Sequence, residues 1–250
     1  MERNETCKHI DDAANFYLRL LGDAKHMEYI DNGYYSIIRP KDGQEWGTSL
    51  FNLRLDQLSD EELKEKINEI KNLNLHTWWG FGLSERILAA IWGEQRPETL
   101  PEPNDEEACM AILSEEKPEY DEIDMHITVK KVDNMKDFSI WANINNKILH
   151  GGYPIMHPEN HYHLCEKGIM PCYIGYYNGM PAAVCSIMNN NGISSLEFVA
   201  TTSEYRRKGL ARAVCITAIQ EAFKNGSKVI SVRAFGGGKK LYKALGFKVY

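Results

Sequence analysis

Apolar and polar residues change rhythm along this chain of 250 residues, and the changes mark its elements. The clearest run lies in the second half. Met125 to Val132 alternates with period two, as a strand does, and Met135 to Ile148 returns to helical spacing. Cys172 to Tyr177 and Pro181 to Met188 flank Asn178-Gly179, which predicts a β-hairpin with a tight turn. Asn189 to Gly192 turns into a third strand, Ile193 to Thr201. After a polar loop, Leu210, Ala211, Val214, Cys215, Ala218, Ile219 and Ala222 form one apolar stripe on a helix over 208–225. Asn225-Gly226 stops that helix. Lys228 to Ala234 reads as another strand. Leu241, Tyr242 and Leu245 lie on a short helix ended by Gly246, and Phe247 to Tyr250 begins a last strand.

The first half is mixed. Ala13 to Leu21 reads as helix and Tyr34 to Ile38 as strand. Ser59, with Glu62 three residues on, has capping-box spacing and starts a helix that runs through Ile70. Trp78, Trp79 and Phe81 are expected in a core, and Ile87 to Trp92 is an apolar helical stretch. From Arg96 to Glu122, Pro97, Pro101, Pro103 and Pro118 stand among acidic residues, as in a linker, with one short helix expected at Glu106 to Leu113. The expected organisation is an accessory domain over 1–100, an acidic linker over 101–123 and a main domain over 124–250, all in the α/β class.

Composition narrows the function classes. No stretch approaches the roughly 20 apolar residues of a membrane-spanning helix. Met1 to Asp12 is polar and lacks the apolar segment of a secretory signal. The six cysteines show no CxxC pairing, which suits a reduced, cytoplasmic setting. The net charge of −6 argues against general nucleic-acid binding. That average hides an asymmetry: residues 1–123 hold 13 Lys and Arg against 27 Asp and Glu, residues 124–250 hold 16 against 8. A basic half suits a polyanion, and an acidic half would attract a cationic partner.

The chemistry concentrates between strand 193–201 and helix 208–225, which with strand 228–234 make a βαβ unit. Parallel strands with a right-handed crossover bind ligands beyond their carboxyl ends, at the helix N-terminus. The loop there reads Thr202-Ser203-Glu204-Tyr205-Arg206-Arg207-Lys208-Gly209-Leu210-Ala211. Free amides at the helix start, the helix dipole and three consecutive cations all favour an anion. Gly209 lets the backbone approach a phosphate without a Cβ between them. No Walker pattern, GxxxxGK[ST], is present.

Arg206-x-x-Gly209-x-Ala211 resembles the R/Q-x-x-G-x-G/A motif of the GNAT superfamily of N-acetyltransferases. Leu196 to Thr201 stands before it as the expected strand, and Leu241-Tyr242-Lys243-Ala244-Leu245-Gly246-Phe247 resembles the family's closing LY-x-x-LGF element. The resemblance covers residues 170–250 and extends back to 124. His76-Thr77-Trp78-Trp79-Gly80 resembles an N-terminal segment of some two-part members, so residues 1–100 are expected to be an accessory or degenerate acetyltransferase-like domain. The fold implied is a mixed, largely antiparallel twisted sheet with a central parallel βαβ unit.

The resemblance also implies an activity: acetyl transfer from acetyl-CoA, the co-substrate, to a small-molecule amine or a peptide amine by direct attack. Val199, Ala200 and Thr201 would hydrogen-bond the pantetheine arm through their backbone. Arg206 and the amides of Arg207, Lys208, Gly209, Leu210, Ala211 and Arg212 would hold the pyrophosphate. A backbone N–H near Val199 or Ala200 would serve the oxyanion, and Tyr242 would be the acid. A phenol with a pKa near 10 is protonated at neutral pH and has a proton to give. Glu197 is the candidate base, with either Glu197 or Phe198 facing the cleft by strand alternation. Ser231-Val232-Arg233 carries no carboxylate where other members place one, and Phe235-Gly236-Gly237-Gly238 lacks the usual asparagine. These departures keep a non-catalytic acyl-CoA-binding module as the alternative, and a different acyl donor as a third reading. His157, His161, His163 and Cys165 fit a metal site by spacing but fit histidines beside a helix start as well; no metal and no cysteine nucleophile is expected. Many members of the family dimerise, so a homodimer stays open. Neither nucleic acid nor membrane is an expected partner.

Overall fold

The computed structural model of the protein describes residues 1–43, 47–93 and 107–250. Its helices are α1 (Arg3–Leu21), α2 (Asp60–Asn72), α3 (Glu85–Trp92), α4 (Met135–Leu149), α5 (Pro158–Glu166), α6 (Leu210–Lys224) and α7 (Gly238–Ala244). Its strands are β1 (Met27–Asp31), β2 (Ser36–Pro40), β3 (Ser49–Phe51), β4 (Glu107–Leu113), β5 (Ile127–Lys131), β6 (Cys172–Tyr177), β7 (Met180–Asn190), β8 (Ile193–Thr201), β9 (Val229–Phe235) and β10 (Lys248–Val249).

Seven strands form one sheet in the order β10-β4-β9-β8-β7-β6-β5. Every neighbouring pair is antiparallel except β8 and β9. The mixed, largely antiparallel sheet with a central parallel βαβ unit is therefore present. Helices cover both faces. Along β6, Tyr173 turns into the core under α6, while Cys172 and Ile174 turn into the core with Phe138, Trp141 and Leu164 of α4 and α5. Burial on both faces explains why β7 reads as a continuous apolar run.

The helix ends follow their caps. Ser59 and Glu62 form the reciprocal capping box expected at α2, and the Asn134 side chain accepts from the Asp137 amide at the start of α4. The apolar surface of α6 is wider than the expected stripe: Ala213 and Ile216 are buried as well, because the helix is held between β6, β7 and β8.

The segment Glu106 to Leu113 is a correction. Its described residues form no helix: Glu107–Leu113 is the strand β4, paired along its length with β9 and with β10 at Met110 and Ala111. Ala108, Met110, Ala111 and Ile112 are all buried. With both faces covered, the run lacks the alternation that tells strand from helix. Pro97, Pro101 and Pro103 of the expected linker lie outside the described residues. Helix α1 is also longer than expected. It starts at Arg3 because Thr6, Cys7 and Ile10 are buried within an otherwise charged stretch, with Cys7 and Ile10 packed beside Cys109 of β4, Trp78 and Phe81. The strand expected at 34–38 begins two residues later, as β2, inside a small antiparallel sheet β1-β2-β3.

Because α1 packs on β4, β7, β8 and β9, the first half closes the large sheet rather than standing apart from it. A fragment of residues 124–250 is therefore expected to lack a cooperative thermal transition by calorimetry, whereas the whole chain melts cooperatively. A sharp transition in the fragment would show that β4 and α1 are dispensable.

Candidate active site

The site is built where two parallel strands part. Pairing of β8 with β9 covers only Ile193 to Ser195 against Val229 to Ser231, although both strands run on. On its other side β8 slips register: Val184 of β7 faces Ala200, and Ser186 faces Glu197. Phe198 and Val199 thus stand against the single residue Cys185, which is a β-bulge. Phe198 takes up φ +55°, a rare conformation for a bulky side chain. The Cys185 carbonyl is satisfied instead by the Trp141 indole N–H at 2.9 Å.

The bulge has a chemical consequence. Strict alternation would send Glu197 and Phe198 to opposite faces, yet both line one cavity of about 950 Å³. The left-handed turn at Phe198 re-aims the side chain. The Glu197 carboxyl receives a hydrogen bond from the Ser195 hydroxyl. Burial pushes its pKa above the usual carboxylate range, opposed by that hydrogen bond and by Arg233.

The second component is the loop after β8. A short 3-10 turn at Ser203–Tyr205 leads to Arg207 at φ +66° and Gly209 at φ +84°, and α6 begins at Leu210. The amides of Leu210, Ala211 and Arg212 occupy the first turn, where no carbonyl of the helix can reach them. Arg206, Arg207, Lys208 and Gly209 are exposed, whereas the Leu210 side chain is buried in the core and offers only its amide. The Lys208 ammonium lies 4.7 Å from the ring centre of Tyr177 and 5.1 Å from that of Tyr205, which holds its charge over the loop. Arg206 Nε donates to the Thr201 carbonyl at 3.3 Å, and Arg212 pairs with Asp121 at 3.5 Å.

Residues 138–247 match the model of the acetyltransferase (GNAT) family. Residues 138–247 are a GNAT acetyltransferase domain. A solved GCN5-related N-acetyltransferase from Kribbella flavida is similar over 97% of this chain and 91% of its own, with a TM-score of 0.64 and 14% identity. That likeness extends the shared fold through the first half. An acetyltransferase from Clostridium acetobutylicum, solved with acetyl-CoA, aligns with 49% of this chain and 90% of its own (20% identity, TM-score 0.41). The aminoglycoside N-acetyltransferase AAC(6')-Iy, solved with CoA, aligns with 49% and 88% (14% identity, TM-score 0.43). No curated protein sequence matches the chain.

Within the acetyltransferase domain, Tyr242 lies on α7, buried, with its ring 5.7 Å from that of Phe247. Burial pushes its phenol pKa well up, with smaller contributions from Cys215, Glu197 and Cys185. The structure thus brings Tyr242 and Glu197 within electrostatic reach. The glycine run before α7 acquires a reason: Gly236 sits at φ +47°, and a Cβ on Gly238 would meet the Tyr242 ring at 3.1 Å. The enzyme class is that of an acyltransferase.

The four-residue His/Cys cluster disperses. His161 Nδ1 lies 2.8 Å from the His157 carbonyl, His163 Nε2 lies 3.2 Å from the Leu20 carbonyl, and the Cys165 thiol faces the Val132 carbonyl. Among the described residues no group of three or more His, Cys, Asp or Glu is arranged to hold a metal ion, and no helix is long and apolar enough to cross a membrane.

Sequence reasoning missed the far wall of the cavity. Tyr17 of α1 reaches it beside Phe198, ring centres 5.7 Å apart. Trp78, expected in a core, is half-buried in that wall, with the Arg233 guanidinium 5.1 Å from its ring. Trp79 packs elsewhere, against the core that includes Leu63, Ile67 and Ile70. An arginine inside an otherwise apolar strand was the one available signal for Arg233. Tyr17 had none, since it falls within an ordinary amphipathic helix.

Proposed function

We propose that the protein transfers an acetyl group from acetyl-CoA to a primary amine by direct attack within a ternary complex. One observation carries the reading: the open end of α6 and the parting of β8 from β9 lead to the bulge, and on the bulge's other side Glu197 faces a cavity. The diphosphate lies on the amides of Arg207 to Arg212, with Arg206, Arg207 and Lys208 adding charge. The pantetheine arm runs along the backbone of Val199, Ala200 and Thr201 on the side that the lost β9 pairing leaves open; on the other side Ala200 and Thr201 stay paired with β7. A backbone N–H at Val199 or Ala200 donates to the thioester oxygen as negative charge develops there.

Glu197 takes the proton from the incoming ammonium, directly or through a water, and a carboxyl with a raised pKa is better matched to that task. The neutral amine adds to the thioester carbon, the C–N bond forms and the C–S bond breaks. Tyr242 gives its proton to the departing sulfur to complete the thiol; the second proton of the amine nitrogen, relayed through water, restores the phenol, and Glu197 returns its proton to solvent. Because the phenol pKa is raised, Tyr242 is protonated throughout the neutral range.

A coenzyme A-release assay against a panel of amines tests the activity. In the same assay Tyr242→Phe is expected to lower kcat by about 100-fold, with acetyl-CoA affinity and melting temperature near those of the parent, since the ring and its packing stay. Parent-like kcat in Tyr242→Phe would remove the acid from the scheme. Acetyl-CoA binding without release of coenzyme A to any amine would overturn the proposal.

A further inference from the structure

The cavity that holds Glu197 says what kind of amine it takes, provided the amine nitrogen approaches that carboxylate as proposed above. Its volume, about 950 Å³, is in the range of small-molecule sites. Its inner walls are apolar and aromatic: Phe198 of the bulge faces Tyr17, with Trp78 and Met156 beside them. Glu197 is the inner carboxylate; Asp42 and Glu159 also line the cavity but are exposed to solvent. Two cations, Lys41 and Arg233, share the lining and are likewise exposed. His161 does too, and burial lowers its pKa to about 4, so it is neutral at physiological pH.

A polycation would bury several ammonium groups in an apolar interior that offers one inner carboxylate, Glu197, which is unfavourable. The attraction expected from the acidic first half therefore does not extend into the cavity. A flat apolar body, by contrast, gains from leaving water and from edge-to-face contact with the rings.

We infer that the acceptor is a monoamine on a short arm from an aromatic body, an arylalkylamine, and not a polyamine or an aminoglycoside. This rests on the acetyl-transfer reading for the identity of the reacting nitrogen, but the pocket can be probed without turnover.

The test compares 2-phenylethylamine, tyramine, butylamine, spermidine and kanamycin as acceptors in coenzyme A release, and measures calorimetric binding of 2-phenylethylamine to the whole protein in the presence of coenzyme A. The expected kcat/KM for the two aryl amines exceeds that for butylamine by about 10- to 100-fold, with spermidine and kanamycin lowest. Ala14→Trp, which fills the cavity from α1, is expected to raise KM for the aryl amines at least about 10-fold while leaving the Kd for acetyl-CoA unchanged; that unchanged Kd also reports a folded protein. Preference for spermidine or kanamycin would overturn the inference and leave acetyl transfer standing. Binding of 2-phenylethylamine without acetylation of any amine would support the pocket and overturn the reaction; no binding and no acetylation would overturn both. Titration with decanoyl-CoA separates the other apolar occupant: binding lost in Ala14→Trp, with acetyl-CoA unaffected and no aryl-amine preference, would assign the cavity to the donor's acyl chain instead.

Discussion

Replacing Gly209 by Asp is expected to abolish acetyl-CoA binding while the protein stays folded. Gly209 precedes the first turn of α6 at φ +84°, and a Cβ added there would meet only the Ile127 methyl at 3.6 Å, an ordinary contact. The cost to the fold is thus the left-handed conformation itself, about 1 kcal/mol and less for Asp than for most residues. The cost to binding is larger. A carboxylate placed about 4 Å from a phosphate near a protein surface is repelled by about 4 kcal/mol. It would also compete for the first-turn amides, each worth about 1.5–3 kcal/mol to a charged acceptor. The sum corresponds to a loss of at least about 1000-fold in affinity. Calorimetric titration of acetyl-CoA, with a thermal melt on the same sample, measures both. An unchanged Kd would take the open end of α6 out of the mechanism. Gly209→Ala separates the two causes, since it brings the Cβ and the backbone cost without the charge.

Glu197→Gln is expected to lower kcat/KM by about 100- to 10,000-fold, the usual contribution of a positioned base. Burial raises the Glu197 pKa, so the parent's kcat/KM should climb with pH through a midpoint above the usual carboxylate range; that limb should vanish in the glutamine variant. Stability moves the other way. A carboxyl whose folded pKa is raised binds more protons in the folded state between its unfolded and folded values. Folding stability therefore falls as pH rises through that window, and the ionised side chain is a cost at neutral pH. Glutamine removes that cost, so the variant should melt at or above the parent temperature at pH 7 while being nearly inactive. An inactive variant that also melts lower would indicate a structural role, and a parent-like pH limb in the variant would exclude Glu197 as the titrating base.

The sequence carried the central unit well, because its signals were chemical as well as periodic. Asn178-Gly179 marks the β6–β7 turn, and Gly209 stands where the backbone needs a positive φ. What stayed hidden was long-range. A run such as Ala108 to Ile112, covered on both faces, carries no periodicity to separate strand from helix. Nothing near β8 in sequence announces that Phe198 will turn left-handed, so alternation misassigned the face of one residue in the Glu197-Phe198 pair. The cavity wall was the least legible part. Tyr17 and Phe198 are 181 positions apart, and their meeting depends on α1 crossing the large sheet.

The insertion of β4 between β9 and β10 has an evolutionary consequence. The polypeptide that walls the cavity beside Glu197 also supplies an internal staple of the sheet on which α7 and its tyrosine rest. Such a chain cannot change its preference by trading one module for another, because the exchange would unzip the scaffold of the chemistry. New preferences must arise by point changes along α1 and its neighbours, one pocket-facing side chain at a time.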